Sequence, residues 1–202
     1  MTLSTPIDFY FDFSSPYGYF ASTQIDQLAK QYNREVVWRP YLMGAVFKIT
    51  KRQPLVQHPL VDEYSARDIA RTARLHDIPI KFPSKFPVMS VAPCRAFYWL
   101  DNQDGDKAKQ LALAIYNAYF VEDKDISNSD IIVEIATSIG TDRGAIQTAL
   151  QDQSVKDKVR EETDKAIEHK VFGSPYIIID DEPFWGFDRF DQIERWLETG
   201  GW

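Results

Sequence analysis

Cysteine is nearly absent: the 202 residues contain one, Cys94. An internal disulfide is excluded, and so is a C-x-x-C redox pair. Histidine is scarce as well. His58, His76 and His169 show neither metal-ligand spacing nor a partner pattern, so they receive no role and no metal site is expected. Long apolar runs are missing, and nothing approaches the roughly 18–20 residues of a membrane span. The opening stretch "MTLSTPIDFYF" has no basic segment leading into an apolar one. No signal peptide is expected, and the reducing cytoplasm is the default compartment. Basic residues are outnumbered, 23 against 30 acidic, for a net charge of −7. That balance argues against non-specific nucleic-acid binding and against a polybasic membrane surface. It leaves room for a local basic pocket around a small anion. Nucleophile-elbow, Gly-rich phosphate and dinucleotide motifs are absent too.

What is present is globular: 44% of residues are hydrophobic and 26% charged. A chain of this length forms a real core without covalent staples. Residues 7–13, "IDFYFDF", read as a buried aromatic strand. Pro16 suits the first position of a helix, and apolar residues at helical spacing extend it over about 16–32. "EVVWRPY" (35–41) reads as a second strand. Strand–helix–strand of this kind makes a right-handed crossover and a parallel pair. Residues 59–170 carry helical patterns and no strand signal. In "KAKQLALAIYNAYF" (107–120), Leu111, Ala114, Ile115, Ala118 and Tyr119 form one stripe. Asn128 suits the N-cap of the helix after it. Strands return in "SPYIIIDDEPFWGF" (174–187), a hairpin turning at Asp180–Glu182. A last helix stops at Gly200. The order βαβ, helical block, ββα is that of a thioredoxin-like α/β fold with a large all-helical insertion. The expected boundaries are about 1–50 and 171–202 for the thioredoxin-like part and about 55–170 for the insertion.

Three places invite chemistry. Ser15, before Pro16, is a good N-cap on spacing alone. The turn is also where the first helix of a thioredoxin-type sheet presents unpaired N–H groups, which favour an anion such as a thiolate. No cysteine is there, so the thiolate must come from a bound cofactor. Pro175 reads either as an ordinary strand-start proline or as a cis-proline facing Ser15. In the second case the backbone of Ser174 is free to pair with an extended peptide. In "WGFDRF" (185–190), Asp188 is a plausible N-cap. Alternatively, the N–H groups of Phe187 and Asp188 hold a carboxylate while the Asp188 side chain holds an ammonium. Lys48, Arg39 and Arg52 read mainly as solvated surface. Cys94 reads as a small buried apolar residue.

Four segments, "DFYFDFSSPYGYFAS", "WRPYLMGAVFK", "KFPSKFPV" and "VFGSPYIIIDDEPFWGFDRF", resemble the 2-hydroxychromene-2-carboxylate isomerase family. That family is close to the kappa-class glutathione transferases and more distantly related to DsbA-type disulfide oxidoreductases. The resemblance implies glutathione as cofactor and a homodimer. It implies that Ser15 steadies the glutathione thiolate and that Ser174 pairs with the glutathione backbone beside cis-Pro175. Phe187 and Asp188 match the pair that hold the γ-glutamyl end. Lys48 matches a lysine near the substrate carboxylate. "SPYG" (15–18) lies where the oxidoreductases carry C-P-x-C, so Ser15 and Gly18 replace both cysteines. Arg52 stands where similar members often have asparagine, and Met89 where a polar residue is common. The implied reaction interconverts 2-hydroxychromene-2-carboxylate and trans-o-hydroxybenzylidenepyruvate, an aromatic 2-oxo acid, by reversible thiolate addition. The rival expectations are a kappa-like transferase or peroxidase and a non-catalytic glutathione-binding module.

Overall fold

The computed structural model describes residues 5–202. Strand β1 (Ile7–Phe11) lies at the centre of the sheet, with Ile7, Phe9 and Phe11 fully buried. A strand covered on both faces reads as a continuous apolar run rather than an alternating one. Strand β2 (Val36–Pro40) pairs parallel with β1, Ile7 opposite Val36. Strand β3 (Tyr176–Ile179) pairs antiparallel on the other side, Asp8 opposite Ile178. Strand β4 (Glu182–Trp185) completes the order β2-β1-β3-β4. The expected hairpin is therefore present. Its two-residue turn places Asp180 and Asp181 at φ 51° and 69°. Both central residues have positive φ, as a type I′ turn requires.

The first crossover departs from the single helix expected over 16–32. It is two helices, α1 (Pro16–Ser22) and α2 (Ile25–Gln31). The Ser22 hydroxyl donates to the Tyr19 carbonyl and the Thr23 hydroxyl to the Phe20 carbonyl, each at 2.7 Å. Such side-chain bonds compete with the helical ladder. Helix α3 (Met43–Thr50) follows β2, where the apolar pattern gave no helix.

Six α-helices lie between α3 and β3: α4 (Asp62–Leu75), α5 (Val91–Asp101), α6 (Gly105–Phe120), α7 (Ser129–Ser138), α8 (Arg143–Ala149) and α9 (Gln153–Glu168). Asn128 caps α7 as expected, its side-chain oxygen accepting from the Asp130 N–H at 2.9 Å. The α6 stripe turns inward. Leu111, Ile115, Ala118 and Tyr119 are buried, and Ala114 packs at the margin. Helices α5 and α6 close over the sheet through aromatic rings. Phe11 meets Trp38, Phe13, Phe97 and Tyr116 with centroids 5.2–6.2 Å apart.

The chain ends in α10 (Phe190–Thr199), stopped by left-handed Gly200 at φ 73°. Asp188 does not cap it. A short 3-10 turn, Phe187–Arg189, precedes α10, and its N-cap is Gly186 at φ 113°. The extra turn moves Asp188 inside the element, where no side-chain cap bond forms. Among the described residues, no helix is long and apolar enough to cross a membrane.

Candidate functional site

The turn after β1 is organised by Asp12, a residue the sequence reading passed over. Its side chain is buried and no cation pairs with it among the described residues. Three donors converge on its carboxylate: the Ser14 N–H at 2.7 Å, the Met43 N–H at 2.9 Å and the Ser90 hydroxyl at 3.0 Å. Burial pushes this carboxyl above the usual value, while the three donors pull it back. The backbone of Asp12 is used as well. Its carbonyl accepts from the Ser15 N–H at 2.9 Å and from the Tyr116 hydroxyl at 3.1 Å. Its N–H donates to the Ser174 hydroxyl oxygen at 3.0 Å. One residue thus binds the starts of α3 and α5, helix α6 and the segment before β3 to a single turn. The only trace in the sequence is an aspartate closing an aromatic strand two residues before a serine, the spacing of an Asx turn.

Ser15 sits on that turn in extended conformation, φ −91° and ψ 118°. Its hydroxyl oxygen accepts from the Gly18 N–H at 3.1 Å, so it caps α1 with Pro16 at the first helical position. The same hydroxyl donates to the Ser174 carbonyl at 2.9 Å. Ser15 and Ser174 are 159 positions apart in the chain and meet here. The Ser174–Pro175 bond is cis. The N–H of Ser174 has no hydrogen-bond partner among the described residues, although the residue is buried.

Gly18 closes the floor of the site. A Cβ there would lie 2.8 Å from both the Ser174 Oγ and the Tyr116 hydroxyl. The position that would hold the second cysteine of a C-P-x-C motif has no room for a side chain.

Phe187 and Asp188 belong to the turn after β4. Phe187 is buried against Phe20 and His76, with ring centroids 5.7 and 4.7 Å away. The N–H groups of Phe187 and Asp188 have no partner among the described residues. The Asp188 carboxylate is exposed and lies 3.2 Å from the Arg189 guanidinium. Tyr17 links this end to Ser15. Its hydroxyl donates to Asp68 at 2.5 Å. Burial raises its pKa, and the bond to Asp68 and the charge of Asp188 raise it further. Asp68, on α4, is an acidic residue bonded to the helix that follows Ser15, and the sequence pattern does not single it out.

Of the two expected cations, Arg52 approaches the cis-proline segment. Its guanidinium lies 5.6 Å over the Phe172 ring, and Phe172 packs against Trp185 at 4.9 Å. Lys48 is exposed in the last turn of α3 and makes no ion pair among the described residues. Arg39 is not solvated surface: it pairs with Asp8 at 2.7 Å and with buried Glu162 at 3.4 Å. Cys94 is buried as expected, and burial raises its thiol pKa. Across the turn, the Val88 N–H donates to the Ser14 hydroxyl at 3.1 Å, just after a second cis bond, Phe86–Pro87. Met89 follows, 73% exposed.

Comparison with known proteins supports the fold. A model of the DsbA-like thioredoxin domain matches residues 6–198. The 2-hydroxychromene-2-carboxylate isomerase of Pseudomonas putida is 29% identical over 194 residues, 93% of this chain and 92% of the relative. Glutathione S-transferase kappa 2 of Caenorhabditis elegans is 24% identical over 95% of this chain and 91% of its own length. A solved structure of 2-hydroxychromene-2-carboxylate isomerase superposes with a TM-score of 0.85 at 28% identity, over 96% of this chain and 95% of that one. With the match running from β1 to α10, the chain belongs to the DsbA-like thioredoxin family.

Proposed function

We propose that this chain is a glutathione-dependent isomerase interconverting 2-hydroxychromene-2-carboxylate and trans-o-hydroxybenzylidenepyruvate. The observation that carries the reading is the Ser15 hydroxyl, 2.9 Å from the backbone of Ser174 beside cis-Pro175, with no cysteine in the turn. The residues fit a peptide thiol. The buried, unpartnered Ser174 N–H is the kind of orphan that an extended ligand satisfies. Asp188 and Asp68 suit an ammonium at one end. Lys48 and Arg52 suit carboxylates, of ligand or substrate, at the other. Phe187 and Asp188 offer backbone N–H groups to the α-carboxylate of a γ-glutamyl end. Glutathione bound here supplies a thiolate nucleophile that adds reversibly to a conjugated double bond, so that the bond turns before the thiol leaves. Ser15 stabilises negative charge on that sulfur as a hydroxyl donor. Gly18, without a thiol, offers no second sulfur to capture it.

The reading includes a cytoplasmic homodimer, with exposed Leu55, Leu60, Val61 and Tyr64 as its apolar face. Light scattering checks the assembly.

The test has two stages. Glutathione at millimolar level should raise the melting temperature by mass action. With glutathione, the isomerisation should then proceed without net consumption of thiol. No thermal shift overturns the reading. Conjugation of an activated aryl halide, with glutathione consumed, favours the transferase alternative represented by the kappa relatives. Ser15→Ala should lower kcat by roughly 10²-fold or more, the scale of one lost oxyanion-type donor. It should cost about 2–3 kcal/mol of stability, because the variant loses an N-cap and leaves the buried Ser174 carbonyl without its donor. Full activity in Ser15→Ala together with its loss in Ser14→Ala would move the assignment to the neighbouring serine.

A further inference from the structure

The Ser15 hydroxyl has one proton, and that proton is already engaged. Its oxygen accepts from the Gly18 N–H and its hydrogen goes to the Ser174 carbonyl, at 3.1 and 2.9 Å. A hydroxyl accepts more than one bond but donates only one. As the structure stands, Ser15 has nothing left to give a thiolate. Nor is the bond lightly surrendered. Ser174 is buried, and the Ser15 hydroxyl is the only donor to its carbonyl among the described residues. Turning the hydroxyl away strands a buried acceptor, which costs much more than an ordinary exchange of hydrogen bonds.

The geometry points to Ser174 as a latch on Ser15, released by a thiol that carries an amide N–H on the carbon next to its thiol-bearing one. The inference rests on the glutathione reading and concerns the order of events within that site. The two backbone groups of Ser174 stand in different states: its carbonyl is held by Ser15, and its N–H is unpaired. A cysteinyl residue laid alongside as an added strand accepts from the Ser174 N–H and donates its own N–H to the Ser174 carbonyl. The carbonyl then has a replacement donor. The Ser15 hydroxyl is free to rotate, keep its bond from Gly18, and donate to the sulfur. The thiol proton leaves to solvent, and the charged sulfur is the stronger acceptor. Amide pairing at Ser174 and ionisation of the thiol are therefore coupled, each favouring the other to the same extent. The site selects N-acylated cysteines over simple thiols by activating them, as well as by holding them.

The probes are glutathione and its depsi analogue, in which an ester oxygen replaces the cysteinyl N–H and every charged group is kept. Each is saturated on the protein, and the bound thiol is titrated through the ultraviolet absorbance of its thiolate. The bound thiol of glutathione should titrate roughly one pKa unit below that of the depsi analogue, the scale of one buried acceptor left unpaired. In Ser15→Ala the difference should vanish, and Ser15→Thr should restore it in part. Equal pKa values in the native protein overturn the latch, because the carbonyl then accepts both donors at once. A difference that persists in Ser15→Ala also overturns it, because the amide then acts without the hydroxyl. Absence of glutathione binding in the thermal-shift measurement removes the functional reading itself, and the latch with it.

Discussion

Gly18 decides what its helix position tolerates. In an open helix, Gly→Ala gains about 0.5–1 kcal/mol. Here the added carbon meets the Ser174 Oγ and the Tyr116 hydroxyl, both already fixed by hydrogen bonds to Asp12. Overpacking of this kind costs about 1–3 kcal/mol. Gly18→Ala should therefore lose about 1 kcal/mol net in urea unfolding. Combined with Tyr116→Phe, it should cost less than the sum of the two single changes. A stabilised Gly18→Ala would show that the pocket yields. Much of this turn was legible in the sequence. Serine before proline at a strand end marks a cap by local chemistry alone, and the cap is present. Asp12 was not legible, because its three donors come from three segments that only the fold brings together. The cap reading of Asp188 fails for a related reason: one extra 3-10 turn, set by Gly186, shifts the helix start past it.

The hairpin is the element whose pattern and structure agree most closely. Two apolar runs around an acidic pair predict it, and the ladder from Tyr176 opposite Trp185 to Ile179 opposite Glu182 supplies it. Its turn is built from residues that dislike their own backbone angles. Asp181 stands at φ 69°. Its neighbour Asp180 carries the outside bonds, pairing with Arg34 at 2.8 Å and with the Thr5 hydroxyl at 2.6 Å. Asp181→Gly should therefore raise stability by about 0.5 kcal/mol, since aspartate-glycine is a favoured type I′ pair. Thermal unfolding measures it, and a loss would mean that Asp181 has a partner in solution. The first crossover shows the opposite case. Its periodicity runs through Thr23 and Gln24 without a break. The interruption comes from two hydroxyls turning back on the preceding carbonyls, and that choice is invisible to a pattern of apolar positions.

Across the whole molecule, pH acts on two groups of carboxylates with opposite sign. Arg34, Lys85 and the Ser84 N–H respectively hold Asp180, Asp125 and Asp123 below the ordinary 3.8. Their contribution is present above that value and is lost as pH falls below it. Asp12 is raised above 3.8 by burial. From about pH 4 up to its folded value, the folded chain keeps a proton that the unfolded chain has released, so stability falls as pH rises through that window. Melting temperatures should peak in mild acid. Asp12→Asn should flatten the decline above the peak, whatever it does to absolute stability. An unchanged slope would assign the decline to other groups. The strand order carries one more consequence, a matter of time rather than energy. Strand β1 sits between β2, made soon after it, and β3, made only after the whole helical block. A chain emerging from the ribosome can pair β1 with β2, but its other edge stays open until β3 arrives. Ser174 is absent until then, so a nascent chain has Ser15 and nothing for it to face. The helical block can pack earlier through neighbouring contacts, which form faster than distant ones. The candidate site thus exists only once the segment after α9 has been made, and a chain stopped before it holds no ligand there.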